Sequence, residues 1–311
     1  LRWLSPIGWG QGVRAYADER WWILVVCLGV AVALVALGFL LAAHRDLGSG
    51  IVPTRLGAPR AEGVLTRPGV LAVRLQRGAF LGWVVGLLLI GIVYGSIGND
   101  IEEMIRDNPD FEDFLAQIQD VSLTDSYFAT SIQMLGLLAA GFALSSTLRL
   151  RSEEAAGRAE PILATSTSRT AWAAEHLAIA VVGSVIVVAA GGLGLGVAYA
   201  VVSGDQSQIA RLVAASLVAV PAVLVLVGVA VALFGLVPRY AIVAWAGLAL
   251  AFVVTFFGQV LQLPDWVLAI SPFDHVPGAP AAAVSWTPLV ALTAVAAALI
   301  AVGLVAFRRR D

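Results

Sequence analysis

The side chains whose types and spacing could do chemistry gather in one polar run, LRLRSEEAAGRAEPILATSTSRTAW, residues 148–172. Within it Arg151, Glu153, Glu154, Gly157, Arg158, Glu160 and Pro161 stand close together. Glu154 and Arg158 have the i,i+4 spacing that pairs opposite charges on one helical face. Pro161 and the TSTS segment then end that helix before Trp172 restarts an apolar one. A connector between bundle helices needs about two to eight residues, and this stretch is far longer. Mixed charge held on a short helix suits ionic docking to another protein, and no residue of the chain is assigned a catalytic role.

Other motif-like features carry less. Glu175 and His176 are not a zinc pair, because H-E-x-x-H needs a second His one turn away and position 172 is Trp. The GGLGLG run, residues 191–196, lies inside an apolar stretch with no strand before it. It reads as close helix packing through small residues, as do Gly82/Gly86 and Gly91/Gly95. Cys27 is the single cysteine, which excludes an internal disulfide and a Cys-based zinc site. All 19 basic residues are Arg. Without a Lys no P-loop can form, so the chain does not hydrolyse ATP by that route. Neither a metal site nor a cofactor is expected in it.

The elements that position the polar run follow from composition. Of the 311 residues 59% are hydrophobic and 13% charged, with a mean hydropathy of +0.90, whereas soluble domains carry about 25% charged residues. Charge-free stretches cover 22–43, 78–99, 126–148, 177–204, 212–238, 240–264 and 276–307. Each reaches the ~20 residues that cross a bilayer as a helix. An all-α integral membrane fold with seven transmembrane helices is predicted, with Pro221 kinking the fifth.

Arginine marks the cytoplasmic loops of membrane proteins. Residues 44–79 carry Arg45, Arg55, Arg60, Arg67, Arg74 and Arg77; the polar run carries Arg149, Arg151, Arg158 and Arg169. Arg239 lies in a short turn and the sequence closes on FRRRD, while the alternate loops are acidic or neutral. This alternation places residues 1–20 outside and Asp311 in the cytoplasm of a multi-pass protein of the inner (plasma) membrane. In the acidic insert 99–125, Ile101, Met104 and Ile105, then Phe111, Phe114, Leu115 and Ile118, predict two short amphipathic helices divided at Asn108-Pro109. Residues 67–80 predict an interfacial elbow helix whose Arg74 and Arg77 snorkel.

The two ends of the sequence resemble each other. Ser5-Pro6 aligns with Ser271-Pro272, Trp21 with Trp286 and Arg45-Asp46 with Arg310-Asp311, at one nearly constant offset. Such self-similarity indicates duplication, and transporter folds are often built from repeated halves. The expected organisation is the last helix of a first half over 1–46, a cytoplasmic linker and elbow over 47–79, and a six-helix second half over 80–311. That half holds the acidic insert 99–125, a coupling helix over 149–162 and an outer hairpin over 258–286. If the halves match, roughly 220 residues precede Leu1 in the parent chain.

Intramembrane polar groups are few. Gln133, Ser131, Thr255 and Gln259 are candidates for a substrate pathway, and helix–helix hydrogen bonding is the other reading of them. No acid lies mid-span, which disfavours an ion-coupled secondary carrier. A pathway lined by aliphatic and aromatic groups suits a hydrophobic or amphiphilic small molecule. A non-transporting membrane scaffold would also lack buried charge, yet it leaves the duplicated half and the long charged stretch without a reason.

The stretch RLRSEEAAGRAEPILATSTSRTAWAAEHLAIA resembles the coupling-helix region of ABC-2 type permeases, in particular the actinobacterial exporters of polyketide antibiotics (tetronasin-type permeases). SPIGW, LGWVVGLLLIGIVYGSI, WVLAISPFDHVP and FRRRD resemble the same family, so the likeness covers essentially the whole chain. Where that family often reads T-P-V-S-R, this chain has Thr165-Ser166-Thr167-Ser168-Arg169. The resemblance implies an ABC-2 (type V exporter-like) fold and an ATP-driven exporter of antibiotics, drugs or lipids. It implies partners: two copies of an ABC ATPase subunit that hold ATP and Mg, the missing first half, and the lipid bilayer, with no nucleic acid. It also implies that Arg151, Glu153, Glu154, Gly157, Arg158, Glu160 and Pro161 contact the ATPase.

Overall fold

The computed structural model describes residues 20–43, 68–106 and 122–310, with Trp9, Gly12 and Val13 besides. The chain forms two compact units, 1–61 and 62–311. In the first, α1 (Trp22–Ala43) is apolar on every face. Its bounds coincide with the first charge-free stretch, because hydrophobicity alone sets the length of an uncharged helix.

In the second unit the helices are α2 (Pro68–Arg106), α3 (Leu123–Thr147), α4 (Arg149–Ala155), α5 (Glu160–Leu163) and α6 (Arg169–Ser203). They continue as α7 (Ser207–Leu217), α8 (Val220–Leu236), α9 (Ala244–Phe257), α10 (Asp265–Leu268) and α11 (Trp286–Arg308). A 3₁₀ turn, Pro238–Val243, leads into α9. Among the described residues seven helical segments are long and apolar enough to span a membrane, and no strand is present.

Several expected boundaries move. The elbow over 67–80 is not a separate helix: α2 runs unbroken for 39 residues, roughly 58 Å at 1.5 Å per residue. No proline or glycine pair interrupts residues 69–80, so nothing forces a bend there. The first of the two helices expected in the acidic insert is the end of α2, and the second lies outside the described residues. The fifth span divides as foreseen at its proline. Pro221 sits in the first turn of α8, where its missing N–H costs nothing. Just before it, the N–H groups of Val218 and Ala219 bond back to the carbonyls of Ala215 and Ser216.

Packing centres on α3, where Phe128, Leu135, Ala139, Ala143 and Leu144 are buried. Phe273, from the segment between α10 and α11, inserts fully into this core and comes against Gly136. The helices α2 and α6 run parallel and touch backbone to backbone. A Cβ on Gly91 would land on the Gly191 carbonyl, one on Gly95 on the Leu195 carbonyl, and one on Gly194 on the Leu88 carbonyl. The glycine runs at 91/95 and 191–196 therefore pack as their spacing foretells. Gly82 and Gly86 do not: Cβ atoms there would meet open space within this chain. Gly235 and Gly303 bring α8 and α11 into the same kind of contact.

Candidate functional site: a charged hairpin on an apolar floor

The single helix expected over 149–162 is two short pieces, α4 and α5, separated by a tight turn. Its break is a Schellman turn. Gly157 takes φ +68°, its N–H bonds the Glu154 carbonyl, and the Arg158 N–H bonds the Glu153 carbonyl; this 6→1 and 5→2 pair defines the motif. A left-handed residue at that place strongly favours glycine. Pro161 falls in the first turn of α5, where it is pre-set for helix. Ser168 then caps α6 by accepting from the Ala171 N–H at 3.2 Å, so the cap forms without the proline usual in T-P-V-S-R.

The turn changes the ion pairing. Arg158 does not meet Glu154. Because α4 ends in the turn at Gly157, the Arg158 Nε donates to Glu153 Oε2 at 2.6 Å and its Nη2 to Glu153 Oε1 at 3.4 Å. Arg149 stands 3.5 Å from the same carboxylate. The pair raises the Arg158 guanidinium further above its ordinary value, first through the hydrogen bond and then through charge. Glu154 instead pairs with Arg310, with Arg151 at 3.6 Å behind it.

Arg310 is the hub that sequence reasoning missed. Besides Glu154, its Nη1 donates to the Phe234 carbonyl at 2.9 Å, and its guanidinium lies over the rings of Phe234 and Phe307 at 5.4 and 5.3 Å. Arg169 donates to the Arg310 carbonyl. The hairpin, the end of α8, the end of α11 and the start of α6 are thus joined through one residue. The FRRRD cluster signalled only sidedness; nothing in its spacing names a partner on α4.

Beneath the charges is a small apolar cluster of Leu150, Ala159, Trp172, Phe234, Ala241 and Phe307. The Phe234 and Phe307 rings lie 5.0 Å apart, and those of Trp172 and Phe307 6.0 Å apart. His176 is buried beside Trp172 and meets its carbonyl at 3.1 Å. Glu153 and Glu154 are partly covered, whereas Gly157, Arg158, Glu160 and Pro161 stand exposed. These charges therefore sit on a packed apolar support. There is no nucleophile–base pair in the hairpin, and among the described residues no cluster of His, Cys, Asp or Glu could hold a metal.

The four pathway candidates do not form one site. Ser131, with Thr130, lines a cavity of about 290 Å³ whose walls include Tyr94, Tyr127, Phe252 and Phe256. The Ser131 hydroxyl bonds its own helix at the Tyr127 carbonyl. Gln133 is half-buried elsewhere on α3, Thr255 has a buried hydroxyl without a partner, and Gln259 is exposed beyond α9. Of the intramembrane polar groups, Ser146 does bond between helices, donating to Gln76 Oε1 at 2.8 Å.

A bundle of long apolar helices carrying one packed, charged element at its face defines a multi-pass integral membrane protein. A family model described as "Multidrug efflux system permease Rv1217c, C-terminal domain" matches residues 65–308, and the chain belongs to that family. It is 41% identical over 314 residues to the "Multidrug efflux system permease protein Rv1217c" of Mycobacterium tuberculosis. The similarity covers all of this chain and 57% of that relative, so the chain spans little more than half the relative's length.

Proposed function

We propose that this chain is the second-half membrane portion of an ATP-driven exporter of the ABC-2 class, and that the hairpin over 149–163 is where a separate ATPase subunit pair docks. The observation that carries this reading is the division of labour among the charges. Glu153, Glu154 and Arg151 are spent inside the chain on holding the hairpin, and Gly157 supplies its turn. Glu160 and Pro161 form the exposed tip that a partner would grip, with Arg158 beside them, exposed on its outer edge and held from within by Glu153. The ATPase subunits would supply ATP and Mg; this chain supplies a lever. Movement of the tip passes through Arg310 to α8 and α11 and through Arg169 to α6, because all three meet there.

The cargo follows from the walls. The cavity beside Ser131 is walled mainly by aromatic rings, with Met134 among them, which suits hydrophobic or amphiphilic molecules such as antibiotics and drugs. The name of the Mycobacterium tuberculosis relative supports efflux of more than one compound; polyketides of the tetronasin type belong to the same hydrophobic class of cargo. The hairpin side, with FRRRD, is the cytoplasmic face of the plasma membrane on the arginine distribution.

The test uses the full-length permease co-expressed with its ATPase subunit. The double reversal Arg158→Glu with Glu160→Arg is expected to abolish co-purification of the ATPase and efflux of a lipophilic dye, while the permease still reaches the membrane. Unchanged association and efflux would overturn the docking assignment.

A further inference from the structure

Between α4 and the start of α9 lies a cavity of about 400 Å³. Arg149 and Arg151 line it, and no acid does. Ser145 and Ser152 reach it too, but their hydroxyls already donate to the carbonyls of Gly141 and Arg149, at 2.7 and 2.9 Å. The N–H donors that remain are those of the two guanidiniums and of the Trp245 indole.

These two arginines are the ones that the hairpin leaves incompletely paired. Glu153 and Glu154 are shared among four guanidiniums. Glu153 accepts from Arg158 at 2.6 Å, and Glu154 from Arg310. Arg149 and Arg151 stand behind at 3.5 and 3.6 Å, beyond ordinary hydrogen-bond distance. A guanidinium has five N–H donors and does not lose its charge, so each keeps bonding capacity. Their side chains are 36% and 38% exposed. Surplus positive charge is therefore open to the cavity.

The remaining wall is apolar and stands at the membrane boundary. Leu148, Ile242 and Trp245 supply it, with Ile242 65% and Trp245 38% exposed. The cavity lies where one apolar span, ending at Ala155, meets the start of another at Pro238. Tryptophan is enriched at this level of a bilayer, and an arginine beside it reaches the headgroup phosphates.

We propose that this cavity holds an anionic phospholipid from the leaflet that bathes the hairpin side, its phosphate gripped by Arg149 and Arg151 and its acyl chain lying against Ile242 and Trp245. Guanidiniums match phosphate oxygens two at a time. A zwitterionic headgroup is disfavoured, because its ammonium would meet two like charges and no lining acid. A free anion satisfies the arginines but leaves Ile242 and Trp245 uncovered. An acidic side chain of a water-soluble partner does the same, since those two residues belong to a spanning segment. The lipid braces α4 against α9 and does not depend on the export reading.

The experiment uses the full-length permease without its ATPase and counts retained phosphatidylglycerol, phosphatidylethanolamine or phosphatidylcholine by native mass spectrometry, with inorganic phosphate as competitor. Phosphatidylglycerol is expected to be kept about tenfold over the other two, the factor that one charge-assisted bond supplies, and phosphate should not displace it. Arg149→Gln with Arg151→Gln should erase the preference. Because those arginines also touch the hairpin glutamates, Ile242→Glu serves as the second variant. It leaves every ion pair of the hairpin in place, and its carboxylate should erase the preference with an unchanged circular dichroism spectrum. Equal retention of the three lipids by the native protein, a preference that persists in either variant, or full displacement by phosphate would overturn the proposal. So would loss of ATPase co-purification in the double Gln variant with lipid retention unaltered, which would assign the two arginines to the partner protein.

Discussion

Glu154 and Arg310 are 156 positions apart and form an ion pair that binds the charged hairpin to the end of α11. Each side chain is about a quarter exposed, at 26% and 28%. The pair therefore belongs neither to the freely solvated bridges worth little nor to the fully desolvated ones. Arg310→Ala should cost more than Glu154→Ala. It removes the pair and the bond to the Phe234 carbonyl, and it uncovers the Phe234 and Phe307 rings. We expect roughly 2 kcal/mol for Arg310→Ala and about 1 for Glu154→Ala, from typical charge-assisted bond energies. The double variant should fall short of the sum, since both changes delete one shared interaction. Denaturant unfolding of the four proteins checks it, and strict additivity would show that the two residues do not work as a pair.

Gly157 governs the shape of the tip. Its φ of +68° is open to glycine and strained for alanine. Gly157→Ala should destabilise the hairpin by about 1 kcal/mol, and Gly157→Asn by less, because Asn tolerates the left-handed region. Limited proteolysis between α4 and α5 provides the readout: cleavage should rise for Ala and stay near native for Asn. Equal cleavage of all three would mean that the turn carries no strain.

Which of these features the sequence discloses depends on how far the physics reaches along the chain. Span number, the bounds of α1, the break at Pro221 and the glycine contact of α2 with α6 are legible, since hydropathy, a missing N–H and small side chains act locally. The i,i+4 spacing predicts Glu154 as the partner of Arg158, but that spacing assumes an unbroken helix, and the turn at Gly157 ends the helix one residue before Arg158. Arg310 was legible only as a charge near a membrane face; its meeting with Glu154 is set by the packing of α8 against α11. Likewise Gly82 and Gly86 have the spacing of a packing stripe, but among the described residues nothing comes within 4 Å of a Cβ at either.

The glycine contact between α2 and α6 supplies its own contrast. Gly91→Val would drive a branched side chain into the Gly191 carbonyl and the Leu195 amide. Overpacking between backbones that cannot yield costs about 3 kcal/mol or more, and the expected result is loss of folded protein on size exclusion. Gly78→Ala meets open space and should be tolerated or even stabilising, gaining up to about 1 kcal/mol of helix propensity. If both variants survived alike, the two helices would not be in backbone contact.

Acid should loosen the opposite end of the bundle at one identifiable place. Asp205 accepts from the Ser207 N–H at 2.9 Å and from the Gln208 amide at 2.8 Å, at the start of α7. These bonds, those from Ser207 first, hold its carboxyl below the ordinary aspartate value. A depressed folded pKa means stabilisation fully present above the unfolded value of about 3.8 and lost as pH falls through the lower folded one. Hydrogen exchange at the amides of 207–209 should therefore stay protected from neutral pH down to mildly acidic conditions and quicken only below that range. In Asp205→Asn the acid-induced step should vanish, since the amide keeps an acceptor oxygen but cannot titrate. An unaltered step in that variant would assign the loosening to a group other than Asp205.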